Sequence, residues 1–134
     1  MSERLFSPAE VDELIPRLSE LMGRGMDRHR EATELERRLR EERSRIRTSG
    51  GSLIDQRDWK ARAERLDGLG IEVRAVLEEI ARLGGSTKDL DAGLVDFPGR
   101  VHGQTVNLCW KYGETAIAFW HGLDEGFAHR RALP

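Results

Sequence analysis

Two runs of apolar residues at alternating spacings of three and four, separated by a short glycine and serine stretch, constrain this chain more than any other feature. The first run is Val11, Leu14, Leu18, Leu21, Gly25, Ala32, Leu35, Leu39 and Ile46, with a charged gap at Arg28. The second is Trp59, Leu66, Leu69, Val73, Val76, Ile80 and Leu83, with a charged gap at Arg62. Such spacing puts the apolar side chains of each segment on one helical stripe. Between them Thr48-Ser49-Gly50-Gly51-Ser52 supplies the residues that a tight reversal needs. The expectation is an antiparallel coiled-coil hairpin over residues 8–85.

Its start is marked by Ser7-Pro8-Ala9-Glu10, a capping box with proline at the first helical position, flanked by Phe6 and Val11 as a hydrophobic staple. Pro16 lies inside the pattern, so a kink is expected in the first turns, and Gly23 and Gly25 weaken the same stretch. Leu83-Gly84-Gly85-Ser86 closes the second helix.

Residues 93–134 change character. Gly93 to Pro98 reads as a short strand, Val101-His102-Gly103-Gln104 as a turn, and Thr105 to Tyr112 as a strand with Val106, Leu108, Trp110 and Tyr112 on one face. Gly113-Glu114 fits a two-residue hairpin loop leading into a strand over Thr115 to His121. In that register Trp110 faces Ile117, Leu108 faces Phe119 and His121 faces Val106. Trp120 then shares the opposite face with Asn107, as a second buried surface or an exposed binding patch. The whole is an α+β fold: a kinked helix, a hairpin, and a three-stranded antiparallel β meander with a C-terminal tail anchored by Phe127. Its 134 residues suit a single domain.

Charge sets limits on function. The 22 basic and 24 acidic residues nearly cancel, leaving a net charge of −2 and no global case for nucleic acid or a membrane surface. No run of about 18 apolar residues occurs, which excludes a helical membrane span. The N-terminus lacks a signal-peptide pattern, and the single Cys109 suits a reducing compartment, so a cytoplasmic location is expected.

The start Arg4-Leu5-Phe6-Ser7, Leu14-Ile15-Pro16-Arg17-Leu18 and the string Gly93-Leu94-Val95-Asp96-Phe97-Pro98, Leu108-Cys109-Trp110, Gly113-Glu114, Trp120-His121, Gly126-Phe127 and Arg130 carry a resemblance. They resemble the uncharacterised bacterial proteins grouped as domain of unknown function 2203. Val11-Asp12 and Ser86-Thr87 depart from that pattern. The resemblance implies a helical-hairpin fold and a bacterial origin, and it brings no activity.

Four sets of residues carry chemistry. Cys109, His121 and Asp124 are of types that bind a transition metal, but in the register above the Cys109 and His121 side chains diverge. A packed cysteine and a hydrogen-bonded histidine therefore come first, and no cofactor is expected ahead of that alternative. Asp96, Arg100, Glu114 and Arg130 could hold a small anionic ligand, with an Arg130 to Asp96 pair as the simpler role and a solvent-facing Glu114 in its turn. Glu114 with His121 and Asp124 could also act in acid/base chemistry, although no nucleophile motif accompanies them. At the hairpin tip Arg43, Arg45, Arg47 and Arg57 outlast the interleaved glutamates. Arg43 and Arg47, with Trp120, are the candidate interaction residues, and nucleic acid is admitted at the tip without being favoured.

The function class that leads is a non-enzymatic interaction or scaffold protein that self-associates or takes a protein partner through leftover apolar positions Leu53, Ile54, Ile71 and Leu77. The alternative is a small-ligand or metal-binding protein, enzyme included, built on the β-rich module.

Overall fold

In a computed structural model the chain is described over residues 4–48 and 56–134. The expected tip, from Ser49 on, and the apolar pair Leu53 and Ile54 lie outside the described residues. Helix α1 spans Pro8–Thr48 and α2 spans Gln56–Leu83, followed by β1 (Ser86–Asp89), β2 (Leu94–Val101), β3 (Gln104–Lys111), β4 (Phe119–His121) and β5 (Arg131–Ala132). A short 3-10 turn at Phe127–His129 joins the last two.

The capping box forms as its sequence dictates. Glu10 N donates to Ser7 Oγ at 3.1 Å and Ser7 N to Glu10 Oε1 at 3.0 Å. The Arg4 guanidinium, with the Ser7 amide, lowers the Glu10 carboxyl to about 2. Helix α1 runs unbroken through Pro16, which is exposed.

The two charged gaps are where the helices grip each other. Arg28 Nε lies 3.2 Å from Glu72, and Arg62 pairs with the half-buried Glu42, so each gap is filled by an ion pair across the hairpin. Arg17 with Glu79 at 2.6 Å and Arg65 with Glu31 at 2.7 Å complete an antiparallel ladder of opposite charges. Gly25 is a point of close approach, since a Cβ there would lie 3.0 Å from Val76 Cγ1.

Near the open end α1 touches both α2 and the sheet, and its buried stripe widens to Val11, Ile15, Leu18, Leu21 and Met22. These pack with Val76 and Ile80 of α2 and with Val95, Phe97, Leu108 and Trp110 from one face of the sheet. The N-terminal segment adds Phe6, whose amide donates to Pro98 O at 2.7 Å and whose ring meets Phe97 edge-on at 5.3 Å.

The sheet has five strands in sequence order, every neighbouring pair antiparallel, where three were expected. The added strands are the short outer ones, too brief to show alternation. His102 and Gly103 have φ of 52° and 76°, the left-handed pair that a two-residue β2–β3 turn needs.

The expected β3–β4 hairpin is corrected by the structure. Strand β4 is only Phe119–His121, and residues 112–118 form a longer connection instead of a two-residue loop. Two acidic residues hold it open. Glu114 Oε1 accepts from Lys111 N at 2.7 Å, and Asp12 Oδ1 on α1 accepts from Ile117 N at 2.7 Å. Trp110 Nε1 also donates to the Glu114 carbonyl at 3.0 Å. The pairing becomes Leu108 with Trp120, Cys109 with Phe119 and Asn107 with His121, one residue away from the expected register. Trp120 therefore joins Leu108 on the helix-facing side, half-buried against the core with Arg131 over its ring at 4.8 Å.

Candidate metal centre

A one-residue slip in a ladder exchanges the two faces of a strand. With the observed register, Asp96 of β2 stands opposite Cys109 of β3, and Asn107 of β3 stands opposite His121 of β4. Cys109 and Asn107 are two apart, so Asp96, Cys109 and His121 share one face, the face away from the helices. The tail after β4 closes over it with Leu123, Glu125, Gly126 and Phe127, leaving a chamber of about 200 Å³ between sheet and tail.

Strand β2 is therefore covered on both sides, which is why Asp96 is buried within an otherwise apolar run. Asp96, Cys109 and His121 are 4%, 1% and 2% exposed. One ligand atom from each lies within 4.8 Å of the others.

His121 Nε2 is 3.0 Å from Asp96 Oδ1, and Nδ1 is 2.9 Å from the Gly122 carbonyl oxygen. A carbonyl only accepts, so Nδ1 carries a hydrogen and Nε2 turns to the carboxylate. This orientation, with one ring nitrogen anchored to a backbone carbonyl, is how histidine is held when the other nitrogen ligates a metal.

The Asp96 carboxylate and the Arg130 guanidinium act on the Cys109 thiol in opposite directions. Burial, together with the Asp96 charge and opposed by Arg130, pushes this thiol up to about 11. Such a thiol is a poor free nucleophile. Both His121 ring nitrogens are engaged, Nε2 by Asp96 and Nδ1 by the Gly122 carbonyl, so the imidazole is not set as a base to the thiol. They suit a cation, which supplies the charge that two buried acidic groups need.

Arg130 frames the site from the tail. Its guanidinium lies 4.0 Å from the Phe119 ring centre and 4.4 Å from that of Phe127, and reaches Glu114 Oε2 at 3.1 Å. The expected Arg130 to Asp96 pair is thus replaced by Arg130 with Glu114, while Asp96 is taken by His121. Glu114 is half-buried in this pair instead of facing solvent. Arg100 is exposed on β2, and Asp124 is exposed in the tail, outside the group. Arg43 stacks over Trp59 at 5.9 Å on the hairpin, remote in sequence from the sheet, and the Arg47 side chain is outside the described residues.

Sequence reasoning missed Lys88, Asn107 and Glu125 as chamber residues. The one available signal was Asp96 itself, an acid inside Leu94-Val95-Asp96-Phe97, where a carboxylate is out of place without a partner.

The DUF2203 family, described as an uncharacterized conserved protein, matches residues 4–133, and the chain belongs to it. No curated protein and no solved structure matches the chain.

Proposed function

For this member of the DUF2203 family we propose a metal-binding function, with one divalent transition ion held by Asp96 Oδ1, Cys109 Sγ and His121 Nε2. What carries the reading is the convergence of three buried ligand atoms within 4.8 Å, backed by the His121 to Gly122 anchor. A tetrahedral ion with bonds of about 2.0 to 2.3 Å spaces its ligands roughly 3.3 to 3.8 Å apart, so closing the group takes shifts of about 1 Å or less. A thiolate with an imidazole favours zinc or another borderline-soft ion over magnesium or calcium. Three protein ligands leave a fourth position toward the chamber, the arrangement of sites that keep a water or a substrate on the metal. The ion would displace the thiol proton and take the place of the contact between His121 and Asp96.

The test is elemental analysis of the full chain purified without chelator. About one metal per chain, lost in His121→Ala and in Cys109→Ser, is the expected result. A folded wild-type chain that stays metal-free after incubation with zinc and dialysis sinks the reading.

A second reading concerns the hairpin. Contact with a partner or a second copy along the coiled-coil arm would cover Ile71 on α2, which is 63% exposed. A single mass by light scattering, unchanged with concentration and equal to one chain, removes self-association. A bacterial, cytoplasmic setting accords with a buried thiol kept reduced for metal.

A further inference from the structure

The chamber over the three ligands opens onto a larger groove of about 580 Å³, and the two share Lys88, Asp96, Asn107 and Leu123. The groove runs from the end of α2, at Ala81 to Gly85, past β1 to the chamber. Its charges can be assigned one at a time. Arg4 is matched by Glu10 at 2.8 Å. Arg82 sits in the last turn of α2, where it offsets the helix's carbonyl end. Asp96 is the groove's single acid among the described residues and is committed to the ligand group.

Within the chamber, Glu125 is held by Arg131 through two contacts of 2.9 Å and by the Gly122 amide at 2.7 Å. Asp89, next to Lys88, accepts from the Asp91 and Ala92 amides at 2.8 and 3.0 Å. Among the described residues Lys88 alone of the chamber's charges has no hydrogen bond or ion pair. A divalent ion with one thiolate, one carboxylate and a neutral imidazole is itself neutral. Such a centre carries no net charge to repel an anion, and the Lys88 ammonium, exposed at the chamber and without an ion partner among the described residues, can meet one there.

We propose that the open coordination position takes the oxyanion of a small molecule, a phosphate monoester or a carboxylate, with Lys88 as its counter-charge and the groove as the seat of its body. This inference rests on the metal reading above. Asn107, half-buried beside the ligands and lining both spaces, supplies an amide for the oxyanion's second oxygen. Leu94 and Leu123 give the chamber an apolar lining beside these polar groups.

The experiment uses the full chain loaded with cobalt(II), whose visible absorption reports the ligands on the ion. Methyl phosphate and acetate are titrated separately. A saturable spectral change with either supports the proposal, and the tighter of the two names the oxyanion class. Lys88→Ala should retain the cobalt spectrum and bind that anion about tenfold more weakly, the loss of one charge-assisted contact. If cobalt binds at one per chain and neither anion alters the spectrum, or if Lys88→Ala binds as tightly as wild type, the oxyanion proposal is overturned while the metal reading stands. If no cobalt binds, the metal reading fails first and takes the proposal with it. Lys88 is exposed, so its replacement leaves the fold intact.

Discussion

Asp96 Oδ1 and His121 Nε2 lie 3.0 Å apart although their strands, β2 and β4, are not neighbours: β3 runs between them. Both side chains lean over β3 to meet above Asn107 and Cys109, in a space closed by the tail. Because each is under 5% exposed, neither can turn to bulk water if the other is removed.

Asp96→Ala should therefore destabilise the metal-free chain by about 3 kcal/mol, the usual cost of leaving one member of a buried polar pair alone. Asp96→Asn, which keeps a hydrogen-bonding oxygen or amide beside Nε2, should cost about 1 kcal/mol. Urea unfolding of both variants measures the difference. Equal, small losses would show the pair to be unimportant to folding.

The raised Cys109 thiol gives a pH dependence with a definite sign. Its ordinary value is 9.0 and the folded chain raises it to about 11. The folded state thus binds the proton more tightly than the unfolded state. Stability contributed by this group is complete below pH 9 and falls as pH rises from there through about 11. Cys109→Ser should flatten that stretch of the stability profile. In the same metal-free protein iodoacetamide at pH 8 should alkylate the thiol far more slowly than in urea. Zinc addition to the native chain at neutral pH should release about one proton per ion, that of the thiol, read with an indicator dye.

Glu114 joins the β3–β4 connection to the tail, since one carboxylate accepts from Lys111 N and from Arg130. Glu114→Ala leaves a guanidinium only 17% exposed without its ion partner. The expected loss is about 2 kcal/mol, with faster hydrogen exchange at the Lys111 amide. Retained protection at Lys111 would mean that the loop holds itself.

Gly99 lies where Phe6 bridges to β2. A Cβ there would stand 2.7 Å from Leu108 Cδ1 and 2.8 Å from the Phe6 carbonyl oxygen. Gly99→Ala should cost about 2 to 3 kcal/mol by overpacking and free the N-terminal segment, visible as early proteolysis before Ser7. Gly103→Ala is the contrast, because its φ of 76° strains the turn although no atom lies within 4 Å of the added methyl.

The helices were legible because their signals are local. Ser7 and Glu10 close a capping box within one turn, and the spacings from Val11 to Leu83 follow from 3.6 residues per turn. Arg28 and Arg62 were visible as gaps but not as partners of Glu72 and Glu42, which lie across the hairpin. In the sheet β3 was readable from its alternation, whereas β1 and β5, of four and two residues, were too short to show one. For the site, Cys109 and His121 were candidates by residue type, and Asp96 was singled out for a different ligand. Asp124, proposed beside them, is exposed in the tail.

The sequence by itself determined the helical hairpin, the β2–β3 turn and the chemical kinds of side chain available, since each depends on residues within a few positions of one another. Only the tertiary structure decided that these side chains meet. The register of β4 is set by Asp12 on α1, 105 positions from the Ile117 amide it holds, and by Glu114 gripping Arg130. A single position of slip moves every side chain of a strand to the other face. A hydrogen bond from a distant helix, with no local signature, thus separates a cysteine and histidine that diverge from a pair that converges with Asp96.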